Sequence, residues 1–299
     1  MAVGRVLLVA GVLVLLFIPY LLWGTGLMTA RSQSLLRQQF QAEQHRAGVT
    51  APTTPVQKVQ KSAGPPKVAP TVPDPPIGSP VGTIDIPTIS LNMVVVEGTG
   101  DSQLQQGPGH YTGTPLPGEA GNAAIAGHRT TYLHPFYNLN DLNPGDAILV
   151  TTTQGVFMYA VTTSQSVSPN DVSVVDASRT PELTLTTCTP RYSASQRLVV
   201  HAALVASILT HPAAAQPSPT TPAPKPASTA KDTRAQPRNW AAAILWGVAV
   251  AALISAVWVG ARRTRRGARA LVLVGGLLAW LVVVFAFFQS LAPLLPASY

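Results

Sequence analysis

The chain has 299 residues, one cysteine, 28 prolines and only 11% charged residues, far below the ~25% of an ordinary globular protein, which excludes a disulfide-stapled scaffold and a cysteine-rich zinc module. An apolar share of 46% with so few charges predicts membrane segments plus one modest folded domain, not a large two-domain enzyme core. The formal charge of +8 invites a nucleic-acid reading, but residues 80–210 hold nine acidic and four basic side chains; the other basic residues lie in linkers, at the chain ends and in one arginine loop, where no folded surface collects them for phosphates.

In chain order, Val6–Trp23 is uncharged and apolar, and no charge follows until Arg31. It is longer than the ~7–15-residue apolar core of a signal peptide and no convincing cleavage site follows it, so residues 1–30 are expected to be an uncleaved N-terminal transmembrane anchor. Residues 31–80 read as a juxtamembrane segment and a Pro-rich linker, with a short helix suggested by Leu35, Leu36 and Phe40. Nine of the prolines fall in 51–80 and seven in 211–238. Such Pro-, Ala-, Thr- and Ser-rich stretches bury too little surface to offset their ordering entropy, so both are expected to be semi-extended tethers.

Residues 81–208 carry a β signature. Runs rich in Val, Ile and Thr recur at Thr83–Ile86, Leu91–Glu97, Asn122–Ala126, Ala147–Thr153, Val156–Thr163, Val172–Asp176, Leu183–Cys188 and Arg197–Ala206, separated by turn signals such as Asn143-Pro144-Gly145-Asp146. Eight strands with short turns predict an all-β fold, an eight-stranded closed barrel with short helical turns, one of them around Phe136–Leu142. No helix alternates with each strand, which disfavours a doubly wound α/β sheet.

Residues 209–239 form the second Pro-rich linker. Residues 240–261 and 270–299 read as a transmembrane helix and a transmembrane helix with a tail, making three transmembrane helices in all. The loop 262–269 between them contains Arg262, Arg263, Arg265, Arg266 and Arg269, and positive-inside bias puts it in the cytoplasm. The expected location is therefore the cell membrane, multi-pass, with the N-terminus cytoplasmic and the β domain extracytoplasmic.

Outside the cytoplasm a lone thiol is a liability, so Cys188 calls for an explanation. It ends an alternating run, Leu183-Thr184-Leu185-Thr186-Thr187-Cys188, just before Pro190. A strand end opening into a loop holds a side chain firmly and leaves it reachable. The alternative is an inert buried thiol, the usual fate of free cysteine. A nucleophilic cysteine needs a base or a positive charge nearby. His128 ends the apolar strand Ala123–Ala126 through Gly127; His110, His134 and His201 are the other histidines of the domain. Arg197 opens the last strand and shares a face with Val199 and His201; a guanidinium can stabilise an oxyanion without changing its own protonation. No His/Cys/carboxylate cluster has metal-ligand spacing, so neither a metal nor another cofactor is expected.

Thr-Leu-Thr-Thr-Cys at 184–188, Gly-His-Arg-Thr-Thr at 127–131 and Arg-Leu-Val-Val-His at 197–201 together resemble the signatures of a sortase, most closely the class E sortases of high-GC Gram-positive bacteria. The resemblance covers roughly Gly82–Ala206 and includes Gly107-Pro108-Gly109-His110-Tyr111. It implies the sortase β-barrel and a cell-wall transpeptidase. Cys188 would attack the Thr-Gly bond of a C-terminal sorting signal of the LAxTG or LPxTG kind, and an amine of a lipid-linked peptidoglycan precursor, or a pilin lysine, would resolve the thioacyl intermediate. His128 would be the general acid/base and Arg197 the oxyanion stabiliser, with Tyr111 and Thr187 as substrate contacts. The expected partners are sorting-signal-bearing surface proteins, the precursor amine and the membrane, with no nucleic acid. Asp141 and Asn122 are the residues weighed for orienting His128. The alternatives are a non-catalytic membrane-tethered surface module, a pilin-polymerising sortase, or a cysteine transpeptidase of the peptidoglycan cross-linking kind; the last resembles sequences with Ser-His-Gly-Cys, where this chain has Thr-Thr-Cys-Thr.

Overall fold

The computed structural model describes residues 11–13, 15–17, 20, 24–46, 66–209, 240–264 and 266–291. The chain divides into a barrel-bearing unit, Leu22–Ala230 with Ser298–Tyr299, and a helical unit, Met1–Leu21 with Lys231–Ala297.

In the first unit the strands are β1 (Pro80–Ile86), β2 (Leu91–Glu97), β3 (Gly109–His110), β4 (Asn122–Ala126), β5 (Ala147–Thr151), β6 (Gly155–Val167), β7 (Glu182–Thr189) and β8 (Gln196–Leu209). They close into a barrel in the order β1-β2-β3-β4-β7-β8-β6-β5, with β5 returning to β1. Alternate residues point inward: Ile84 and Ile86, Met93 and Val95, Ile148 and Val150, Leu183 and Leu185, Leu198 and Val200 meet in one core, each contributing ~1.5–3 kcal/mol on burial. Phe136, Leu139 and Leu142 join that core from the β4–β5 connection, which makes a 3-10 turn at Leu139–Asp141, the helical turn expected there. Pro144 and Gly145, the latter at φ 96°, sit inside the turn that Asp146 closes by donating its amide to Asn143 O at 3.0 Å.

Seven of the expected strands are present. Val172–Asp176 is not a strand; it holds a 3-10 turn at Ser173–Val175. Asp171 Oδ1 accepts from both the amide (3.1 Å) and the hydroxyl (2.6 Å) of Ser173, and this local side-chain bonding outcompetes the β preference of the valines. The eighth strand is the two-residue β3, too short to show alternation.

Two further expectations are corrected. The unit is not purely all-β, because helix α1 (Thr25–Arg46) lies on the outer barrel wall, where Leu36 packs on Val94 and Val96. It begins earlier than the short helix expected around Leu35, Leu36 and Phe40. Residues 66–79, expected as part of a tether, run along the barrel: the Ala69 amide donates to Gly118 O (2.8 Å), the Val72 amide to Glu119 Oε1 (2.9 Å), and Lys67 exchanges two bonds with Ser207 Oγ, each 2.7 Å. A short helix α2 (Asp101–Leu104) precedes β3.

The helical unit contains α3 (Trp240–Arg263) and α4 (Arg266–Leu291). Among the described residues two segments, Trp240–Val257 and Val274–Leu291, are long and apolar enough to cross a membrane, against the three spans expected. The stretch Val6–Trp23 lies largely outside the described residues; its Phe17 and Tyr20 rings meet Phe288 at 4.9 and 5.4 Å. Both helices run past the apolar stretches into the arginine segment, α3 ending at Arg263 and α4 beginning at Arg266. The second Pro-rich linker, 209–239, lies outside the described residues from 210 onward.

Candidate active site

Strand pairing alone brings the three motifs to one barrel rim. β4 and β7 are parallel neighbours, with Ala126 opposite Thr186, so the strands bearing Gly127-His128 and Cys188 end on the same side. β8 is antiparallel to β7 and starts where β7 stops, which sets Arg197 directly opposite Cys188. Thr184, Thr186 and Cys188 point outward because Leu183 and Leu185 occupy the core.

Cys188 is 8% exposed and is the only thiol in the chain. Arg197 donates from Nη1 to its Sγ at 3.5 Å. Arg129, itself buried, donates from Nη1 to the Cys188 carbonyl at 3.0 Å and from Nη2 to Asn140 Oδ1 at 2.6 Å. Asn140 Oδ1 also takes a bond from Arg191 Nη2 at 3.3 Å, and the Arg191 guanidinium lies 4.3 Å from the Tyr137 ring centre. Burial pushes the Cys188 thiol above its ordinary range, and Arg197 and Arg129 oppose that rise. Sulfur and guanidinium are thus arranged so that developing thiolate or oxyanion charge meets a fixed positive group.

His128 is 8% exposed, and burial lowers its imidazole to about 4, because a desolvated ring resists protonation. At neutral pH the resting pair is therefore a thiol and a neutral imidazole. Gly127 is required at the strand exit, since a Cβ there would stand 2.6 Å from Phe136 Cδ2. The Phe136 amide donates to the His128 carbonyl at 3.1 Å, and the His128 ring lies 4.9 Å from Tyr132 at an interplanar 34°. The residues weighed for orienting it are engaged elsewhere: Asn122 Oδ1 accepts from Thr184 and its Nδ2 donates to Val174 and Asp176 carbonyls, while Asp141 Oδ1 accepts from Asn140 Nδ2.

Tyr111 sits on the outer face beside this rim, its hydroxyl 3.0 Å from Thr186 Oγ1. Thr187 points inward instead. It is buried, and its hydroxyl donates to Gly127 O at 2.7 Å, cross-linking β7 to the residue before His128 rather than facing a groove. Behind Tyr111, fully buried His110 bonds Glu97 Oε2 through Nδ1 at 2.7 Å. His201 pairs through Nδ1 with Thr184 Oγ1 at 2.9 Å, and His134 lies beyond Tyr132 in the loop. Arg129, Asn140 and Tyr132 are absent from the sequence-based site; the one signal for Arg129 is its place directly after His128.

Residues 84–205 match the family model described as the sortase domain. Among curated relatives, sortase SrtE1 of Streptomyces coelicolor is 31% identical over 220 residues, 68% of this chain and 56% of that protein. YwpE of Bacillus subtilis is 32% identical over 88 residues, 29% of this chain and 86% of that protein. The chain spans little more than half the length of several curated relatives it matches. Among solved structures, sortase E from Streptomyces avermitilis is 35% identical, with 46% of this chain and 97% of that one covered at a TM-score of 0.40.

Proposed function

We propose that this chain, which belongs to the sortase family of transpeptidases, transfers sorting-signal-bearing proteins to an amine through a thioacyl enzyme on Cys188. The reading is carried by one observation: the only thiol is the cross-strand partner of Arg197, whose Nη1 lies 3.5 Å from Sγ, on the rim where the parallel strand delivers His128.

In the first half-reaction His128 takes the Cys188 proton as sulfur attacks the carbonyl carbon of the Thr-Gly bond. The C–S bond forms, the C–N bond breaks, and the departing amine receives that proton from His128. An incoming amine then attacks the thioester and loses a proton to His128; the C–N bond forms, the C–S bond breaks, and the departing sulfur takes that proton back from His128 to restore the resting thiol. Arg197 stabilises the oxyanion in both tetrahedral states. Tyr111 is a substrate contact, and Thr187 acts by holding Gly127. The sorting motif is of the LAxTG or LPxTG kind, and the acceptor is a peptidoglycan-precursor amine. The chain is a multi-pass membrane protein with a cytoplasmic N-terminus and an extracytoplasmic barrel.

Hydroxylamine intercepts a thioacyl enzyme, so incubation with a sorting-signal peptide is expected to release the peptide hydroxamate. Cys188→Ala is expected to abolish that release with the fold intact by circular dichroism. Hydroxamate formation at the wild-type rate in that variant defeats the assignment.

A further inference from the structure

The loop that carries His128 is held from outside the barrel by the first turn of α1. Thr25, 2% exposed, accepts the Tyr132 amide on Oγ1 at 3.3 Å. Gly26 faces the next loop residue so closely that a Cβ on it would stand 3.2 Å from Leu133 Cδ2. Tyr132, Leu133 and His134 have φ of 53°, 61° and 38°. Three successive non-glycine residues in the left-handed region persist only where the surroundings hold them. Tyr132 is also the residue whose ring lies on His128.

The helix is in turn fixed to the barrel by polar contacts. Gln33 accepts the Val94 amide (2.7 Å) and donates to the Val94 and Gln106 carbonyls, both at 2.9 Å. Thr29 Oγ1 donates to Gln105 O at 2.8 Å. An unbroken series of contacts therefore leads from β2, through α1, to Thr25 and Gly26, then to Tyr132 and Leu133, and finally to the imidazole.

We propose that Thr25 and Gly26 are positioning residues for His128: the start of α1 fixes the Tyr132–Leu133 turn, and that turn fixes the ring used for proton transfer. The inference rests on His128 being the acid/base. In sequence, Thr25 lies two residues past the apolar stretch Val6–Trp23, so the point where the chain leaves that stretch is also where the imidazole loop is held.

The test uses the full-length protein in lipid nanodiscs, with Thr25→Val and Thr25→Ser. Valine keeps the branched shape and removes the acceptor; serine restores it. Thr25→Val is expected to lower kcat for a sorting-signal peptide by about fivefold to twentyfold with KM unchanged, as a misplaced catalytic group does. Amide exchange at residues 130–134 is expected to quicken by about tenfold while β7 and β8 keep their protection. Thr25→Ser is expected to return both readouts to wild type. Wild-type kcat and exchange in Thr25→Val overturn the proposal, as does an equal loss in Thr25→Ser or faster exchange throughout the barrel. Exchange needs no turnover, so failure of the acid/base role, seen as a fully active His128→Asn, is distinguishable from failure of the clamp.

Discussion

Arg197 and His128 test the chemistry through opposite properties, fixed charge and suppressed charge. Arg197→Lys keeps the charge but loses the planar fork that reaches Sγ and an oxyanion together; we expect kcat/KM to fall by about 10²-fold or more, measured with a quenched sorting-signal peptide. Turnover like wild type removes Arg197 from the mechanism. For His128, burial lowers the folded imidazole to about 4, whereas an unfolded one titrates near 6.5. Between those values the unfolded chain binds the extra proton, so the stability contributed by a neutral His128 is complete above ~6.5 and is lost as pH falls toward ~4, a difference on the order of 3 kcal/mol. His128→Asn is expected to flatten that part of the stability profile in urea titrations at several pH values. The acid limb of kcat/KM is likewise expected near 4 and not in the ordinary imidazole range; a limb at 6.5 contradicts the burial argument. Cys188, His128 and Arg197 were legible because each stands at a strand end beside a recognisable motif. Arg129 was not, because an arginine in a loop reads as solvated until its bonds to Cys188 O and Asn140 Oδ1 are seen.

At the level of elements, the strand exits do the positioning. Gly127 admits the Phe136 ring, so Gly127→Ala is expected to cost ~1–3 kcal/mol through overpacking and to displace His128. A lowered melting temperature together with reduced kcat checks this, and an unchanged melting temperature contradicts the tight fit. Thr187 illustrates how side-chain direction escapes a motif: it adjoins Cys188 in sequence, yet strand alternation turns it inward to Gly127. Seven strands were readable from alternating Val, Ile, Leu and Thr. β3 was not, having only two residues, and Val172–Asp176 misled because Asp171 and Ser173 form their own turn. The full extent of α1 was hidden for a different reason. Its buried positions include Thr25, Thr29 and Gln33, which meet the barrel unit through hydrogen bonds, so no apolar stripe announces the docked face.

Across the whole molecule the charge separates: a net-acidic barrel, and arginines gathered where α3 gives way to α4. With Cys188→Ala as background, Thr264→Cys is expected to resist an impermeant thiol reagent in intact cells while Thr180→Cys, exposed on the barrel unit, labels readily. Ready labelling at 264 reverses the topology. Two of the three expected apolar helices, α3 and α4, were evident from composition, whereas the attachment of residues 66–79 to the barrel was concealed by prolines that look the same free or bound. The parallel β4–β7 pairing has one more effect. Gly127 and Thr187 touch although 60 residues separate them in the chain, and closing a loop of that length costs ~3–4 kcal/mol of chain entropy. Contacts so distant in sequence form late, so a newly made chain holds the Cys188 sulfur apart from the His128 imidazole until the ring of strands has shut.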